Sequence, residues 1–116
     1  MEKATNRKNS QNLRIPSNYI VLLSELSVIS GKSSENLAKE LSKKIKANFV
    51  KSEIRVFPDG ESKITLIGKL SKKKSIVVQS IYPPVDTNLV QALSLITKAK
   101  ENSSEVTAVI PYMGYA

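Results

Sequence analysis

The fold is decided by the stretch Ser75-Ile76-Val77-Val78-Gln79-Ser80. Its continuous apolar centre is typical of a strand that is buried on both faces of a parallel sheet. Residues 81–84 follow as a rigid exit loop with two prolines, and Asp86 or Thr87 can cap a helix after it. Residues 106–110 are again apolar. This part of the chain therefore predicts a strand, a helix and a strand in succession.

The helix between these two strands is predicted to be amphipathic. Its apolar stripe consists of Leu89, Leu93 and Ile96. Lys98 and Lys100 lie near its carboxyl end, where positive charge complements the helix dipole. We expect the three apolar side chains to be buried against the sheet.

The preceding part of the chain has a similar order. Residues 19–23 form a continuous apolar run that predicts a buried strand, and residues 24–32 are predicted to be a loop. Ser33 is a plausible N-cap for a helix, with Glu35 in the first turn. The apolar positions of this helix recur at helical spacing and are Leu37, Leu41 and Ile45.

Shorter strands are predicted at residues 48–51, 54–57 and 63–67, the last of them ended by Gly68. Together the elements predict an α/β domain with a largely parallel central sheet flanked by helices. No helix follows the strand at residues 106–110. We therefore expect the domain to be incomplete at its carboxyl end.

Composition excludes several classes of enzyme. The 116 residues contain no cysteine and no histidine, which excludes disulfides, thiolate metal sites, cysteine nucleophiles and a histidine general base. With 41% hydrophobic and 24% charged residues, the chain reads as one soluble domain, for which the cytoplasm is the expected location. No run is long and apolar enough to predict a membrane span.

The net charge of +8 favours polyanionic partners, but the lysines are scattered. Residues 1–17 are polar and basic, and we expect them to be a disordered extension. Neither this extension nor the lysine run at residues 72–74 combines charge with aromatic side chains or convergent donors. A nucleic-acid partner is therefore the least favoured reading, and most lysines are expected to lie on a solvated surface.

One turn stands out from ordinary loop chemistry. The stretch Arg55-Val56-Phe57-Pro58-Asp59-Gly60-Glu61 lies between two predicted strands. Pro58 and Gly60 shape a sharp turn, as in many hairpins. The same turn would present an aromatic ring and two carboxylates, which can stack on adenine and accept hydrogen bonds from its exocyclic amine. A plain hairpin turn and a ligand contact both remain open on local sequence alone.

Three segments together resemble the N-terminal half of ribose-phosphate diphosphokinase, also called phosphoribosyl pyrophosphate synthase, particularly its archaeal members. The segments are residues 55–61, then Val77-Val78-Gln79-Ser80 with Asp86-Thr87-Asn88-Leu89, then Thr107-Ala108-Val109-Ile110-Pro111-Tyr112-Met113-Gly114-Tyr115-Ala116. The resemblance runs from about Tyr19 to the end of the chain. It implies that residues 18–116 are part of a phosphoribosyltransferase-like N-terminal domain.

The resemblance implies a shared active site. In that family the hydroxyl on carbon 1 of ribose 5-phosphate attacks the β-phosphorus of MgATP, which yields phosphoribosyl diphosphate and AMP for nucleotide biosynthesis. Phe57 would lie against the adenine ring, Asp59 and Glu61 would contact the base edge, and Pro58 and Gly60 would keep the turn. The family's hairpin reaches into a neighbouring subunit, so a homo-oligomer is implied.

Several parts of the family's machinery have no counterpart in this sequence. In the family, an Arg-Gln-Asp-Lys loop that grips the ATP phosphates follows the positions of Tyr115 and Ala116. A later metal-binding histidine and the ribose 5-phosphate loop of the second half are also absent. No catalytic residue and no magnesium ligand is therefore assigned here, and we expect the isolated chain to be inactive. The alternative is a non-catalytic domain of the family that associates with full-length synthase subunits.

Overall fold

The computed structural model describes residues 25–116, which form one five-stranded sheet with two α-helices. The strands are β1 (Leu26–Ser30), β2 (Asn48–Val56), β3 (Ser62–Ile67), β4 (Lys74–Val78) and β5 (Glu105–Val109). The helices are α1 (Glu35–Lys44), preceded by a short 3-10 turn (Lys32–Ser34), and α2 (Val85–Asn102). Neither helix is long and apolar enough to cross a membrane within this described range.

The sheet is largely parallel. The strand order is β3-β2-β1-β4-β5, and β1 pairs in parallel with β2 on one side and with β4 on the other. Strand β5 is parallel to β4, whereas β3 is antiparallel to β2. The predicted α/β class with a largely parallel sheet flanked by helices is confirmed.

The two helices pack on opposite faces of the sheet, because successive strand residues point to alternate faces. Val28 and Val78 pack with Ala38 of α1 in one core cluster. Ile29 and Val77 belong to a second cluster, which includes Leu95 of α2. The strands in the middle of the sheet are therefore covered on both sides.

The sequence predicts a loop at residues 24–32, but the structure has the central strand β1 there. This prediction was wrong. Ser27 and Ser30 make the stretch look polar, yet both side chains are buried. The Ser27 hydroxyl lies 2.6 Å from the hydroxyl of Ser75 on β4, so the sheet itself satisfies it. The strand predicted at residues 19–23 and the extension predicted at residues 1–17 lie outside the described residues.

The predicted helix stripes were wrong in part. Leu37 is 49% exposed and Leu93 is 55% exposed, whereas Leu41 and Ile96 pack against the core as expected. The residues of the helices that are fully buried are mostly small, and they are Ala38, Ser42, Asn88, Ala92, Leu95 and Ala99. Small side chains let a helix backbone approach the sheet closely, and a search for large apolar residues overlooks them.

The predicted helix caps were also wrong. Helix α1 follows Ser34 rather than Ser33, and α2 begins at Val85, so neither Asp86 nor Thr87 occupies its N-cap position. Residues 48–51 and 54–57, predicted as two strands, are a single strand that ends at residue 56. The strands predicted at residues 63–67 and 106–110 are present within about one residue of their expected limits.

Candidate functional site

The β2–β3 hairpin projects beyond the central strand of the sheet. Strand β2 pairs with β1 only through residues 48–51, whereas residues 51–56 pair with β3. The far part of the hairpin is thus a two-stranded ribbon. Its loop is the stretch that includes Phe57, Asp59 and Glu61, so the structure brings all three predicted site residues together at one tip.

Backbone hydrogen bonds close this tip. The Phe57 N–H donates to the Glu61 carbonyl oxygen at 2.8 Å, and the Gly60 N–H donates to the Phe57 carbonyl oxygen at 2.9 Å. Gly60 has a φ of 93°, in the left-handed region that glycine tolerates best. A three-residue hairpin loop with glycine in this position is a common solution for joining antiparallel strands. Gly60 therefore lies at the position of this turn where the backbone is left-handed.

The side chains at the tip also contact one another. The Glu61 N–H donates to Asp59 Oδ1 at 3.0 Å, so one carboxylate oxygen of Asp59 helps to hold the turn. The Arg55 guanidinium lies over the Phe57 ring, 5.2 Å from its centroid, in cation–π geometry. Sequence reasoning missed this role of Arg55. The available signal was the i, i+2 spacing, which places both side chains on the same face of an extended segment.

A cleft of about 510 Å³ separates the hairpin from helix α2. Gly60, Glu61 and Ile64 lie on the hairpin side, and Asp86 and Gln91 are among the residues on the helix side. The lining of this cleft contains two carboxylates, those of Glu61 and Asp86, and no positively charged side chain. Phe57 is not part of this lining.

The last residues of the chain fold back onto the start of α2. The Ile81 N–H donates to the Tyr112 carbonyl oxygen at 2.7 Å, and the Tyr115 hydroxyl donates to Asp86 Oδ1. At Gly114, an added Cβ would lie 2.4 Å from the Ile81 carbonyl oxygen, which leaves no room for a side chain. This segment is thereby tied to the carboxyl ends of the parallel strands, where ligands usually bind in sheets of this kind.

The described residues do not form a metal site. Between residues 25 and 116 there is no group of three or more histidine, cysteine, aspartate or glutamate side chains that could hold a metal ion. Asp59 and Glu61 are only a pair, and one oxygen of Asp59 is already used in the turn. The tip therefore suits hydrogen bonding and stacking better than metal coordination.

These features define an α/β domain whose parallel sheet carries a projecting hairpin with an aromatic residue at its tip. A family model described as the N-terminal domain of ribose phosphate pyrophosphokinase matches residues 26–116. The chain belongs to this family, which confirms the resemblance seen in the sequence.

Similar proteins cover most of the chain. The ribose-phosphate pyrophosphokinase of Sulfurisphaera tokodaii is 37% identical over 90 residues, which are 77% of this chain and 31% of that protein. The protein of the same name from Rhodopirellula baltica is 37% identical over 93 residues, covering 79% of this chain and 29% of the relative. The crystal structure of phosphoribosylpyrophosphate synthetase from Mycobacterium smegmatis matches with a TM-score of 0.64 and 25% identity, over 79% of this chain and 31% of that one. The chain thus spans about a third of the length of these relatives.

Proposed function

We propose that this chain supplies the adenine-recognition hairpin of a ribose-phosphate diphosphokinase whose active site is shared between subunits. The observation that carries the proposal is the ordered tip, which holds Phe57, Asp59 and Glu61 together at the end of a projecting ribbon. A tip of this kind can enter a cleft of a second subunit, whereas residues on the body of the sheet cannot. A homo-oligomer follows from the proposal.

The chemistry of the tip suits a planar, donor-bearing ring. Arg55 lies over the Phe57 ring and leaves the opposite ring face for a base, on which stacking contributes about 1–3 kcal/mol. Asp59 Oδ1 is engaged by the Glu61 N–H, so Asp59 Oδ2 and the Glu61 carboxylate are the acceptors that would receive the exocyclic amine of adenine. A ring without a donor at this edge would leave those acceptors unpaired. These two acceptors therefore favour adenine, which has an exocyclic amine, over a purine that has a carbonyl oxygen at the same position.

The proposed reaction transfers a diphosphate group from MgATP to ribose 5-phosphate. The hydroxyl on carbon 1 attacks the β-phosphorus, the bond from the β-phosphorus to the oxygen bridging it to the α-phosphorus breaks, and AMP leaves with that oxygen. Positioning of the nucleotide is the part that this chain would perform. Magnesium would enter with ATP, and no described residue is assigned to it. We expect no activity from the isolated chain, because none of its described residues is assigned to magnesium, to ribose 5-phosphate or to the reacting atoms. The cytoplasm is the compartment that nucleotide biosynthesis would require.

A chimaeric enzyme tests this proposal directly. Residues 26–116 would replace the matching part of the Sulfurisphaera tokodaii enzyme, and AMP formation would be measured with ATP and ribose 5-phosphate varied separately. Phe57→Ala should raise the KM for ATP by about fivefold or more, given about 1–3 kcal/mol for stacking. The KM for ribose 5-phosphate should change little.

Two further variants sharpen this experiment. Phe57→Tyr should restore most of the ATP affinity, because it keeps the ring. Val56→Ala is a matched control, since Val56 is exposed on the same hairpin and is not proposed to touch the nucleotide. Equal effects of Phe57→Ala and Val56→Ala on the KM for ATP would reject the proposed role of the aromatic ring.

A second candidate function rests on the projecting β2–β3 hairpin, which could bind another subunit without taking part in catalysis. As a non-catalytic partner, the chain would bind full-length synthase subunits through the same hairpin. Size-exclusion chromatography of this chain mixed with the Sulfurisphaera tokodaii enzyme would show a mixed complex, with altered AMP formation. Separate elution at micromolar concentrations would argue against this candidate.

A further inference from the structure

We propose that the chain binds a phosphomonoester, such as a sugar phosphate, in a crevice at the carboxyl ends of β1 and β4. The chain passes from β1 through α1 to β2 on one side, and from β4 through α2 to β5 on the other side. The direction of winding therefore reverses between β1 and β4. In open parallel sheets, ligands bind in the crevice that opens at this reversal.

A cavity of about 470 Å³ occupies this crevice. Its walls include Lys32, Ser34 and Asn36 from the segment after β1, and Ser80 and Tyr82 from the segment after β4. This size is within the range of small-molecule sites. No residue of the hairpin tip lines the cavity, so the site is separate from the one in the proposed function.

Two buried hydroxyls at the cavity lack a full set of partners. Ser34 is 7% exposed and Ser80 is 8% exposed, and their hydroxyl oxygens lie 3.1 Å apart. Among residues 25–116, the other partner of the Ser34 hydroxyl is the Ser80 N–H, which is itself a donor, at 2.9 Å. Each hydroxyl has one proton, but only one of the two protons can be used in the hydrogen bond between the two oxygens. Whichever serine donates, the other hydroxyl proton has no acceptor among residues 25–116 and is available to a group in the cavity. A ligand oxygen in the cavity would be that acceptor.

The remaining groups favour an anion. Lys32 borders the cavity and makes no ion pair within the described residues, so its charge is available to a ligand. Glu35 also borders it, but its carboxylate lies 3.8 Å from Lys51 Nζ. Asn36 has an amide that can donate to the same oxygens. A phosphate group presents several acceptor oxygens and negative charge, which matches hydroxyl, amide and ammonium donors.

The segment that carries these donors is held rigidly. The Gly31 N–H donates to the Val78 carbonyl oxygen at 2.8 Å, and the Ser33 hydroxyl lies 2.6 Å from Gln79 Oε1. An added Cβ at Gly31 would lie 2.0 Å from that same Gln79 oxygen. Because the loop is already closely packed against β4, little conformational entropy is lost on binding. The half-exposed ring of Tyr82 can cover the sugar of a phosphomonoester.

Nuclear magnetic resonance titration of the full-length, nitrogen-15-labelled chain tests the site. The probes are inorganic phosphate and ribose 5-phosphate, each compared with sodium chloride at the same ionic strength. We expect saturable shifts of the backbone amides at residues 32–37 and 80–82, and tighter binding of ribose 5-phosphate than of phosphate. Amide shifts that are spread over the whole chain and do not saturate with added ligand would overturn the proposal. Binding of phosphate that the sugar does not improve would overturn the assignment to a monoester.

Five variants connect the shifts to particular groups. Ser80→Ala and Lys32→Ala should each weaken binding by about tenfold or more, the usual effect of losing a hydrogen bond to a charged group. Ser80→Thr keeps the hydroxyl and should retain binding. Lys44→Ala removes the same charge at the other end of α1 and should have little effect. Equal weakening by Lys32→Ala and Lys44→Ala would reject the site. Phe57→Ala should leave this binding unchanged, so the outcome is independent of the hairpin proposal.

Discussion

Replacing Leu95 by alanine should lower the free energy of unfolding by about 3–4 kcal/mol, within the usual range for a fully buried leucine. Leu95 is 1% exposed and packs on the α2 side of the sheet with Ile29 and Val77. The change removes three carbon atoms, or about 2.4 kcal/mol of transfer free energy at about 0.8 kcal/mol for each buried carbon. The unfilled cavity adds the remainder, because the surrounding strands relax only in part.

Leu93 offers a matched control on the same helix. It lies two residues earlier and is 55% exposed, so Leu93→Ala should cost at most about 0.5 kcal/mol. Equilibrium unfolding in urea, followed by circular dichroism, measures both variants. If the Leu95→Ala chain does not fold, Leu95→Met keeps the volume and should cost less than about 1.5 kcal/mol. Equal destabilisation by Leu93→Ala and Leu95→Ala would refute the placement of α2 on the sheet.

Three further changes examine other parts of the fold. Gly60→Ala should destabilise the domain by about 1 kcal/mol in urea unfolding, because the left-handed φ of 93° strains any residue with a Cβ although the space around it is open. Ser75→Ala should cost about 1–3 kcal/mol by the same measurement, since its hydroxyl lies 2.6 Å from those of both Ser27 and Ser103 and these would lose a partner. Gly114→Ala should release the last residues of the chain, seen as faster amide exchange there with little change in global stability. Unchanged exchange would show that the segment tolerates a side chain.

The sequence predicted the candidate hairpin closely because its signals are local. Pro58 and Gly60 act within a few residues, and the antiparallel strands on each side continue the same turn. The contact between Arg55 and Phe57 required the structure, because a two-residue spacing permits it without requiring it. The crevice between β1 and β4 was not predicted at all. Its walls come from residues about 46 positions apart, such as Ser34 and Ser80.

The amino-acid sequence by itself determined that the apolar run at residues 75–78 is a strand and that the chain turns sharply at residues 57–61. Only the tertiary structure decided that Leu26–Ser30 is the central strand and that α2 buries Leu95 rather than Leu93. The physical reason is that burial depends on distant partners. The Ser27 hydroxyl can leave water because Ser75, which is 48 positions away, and the Ser71 N–H, which is 44 positions away, form hydrogen bonds with it.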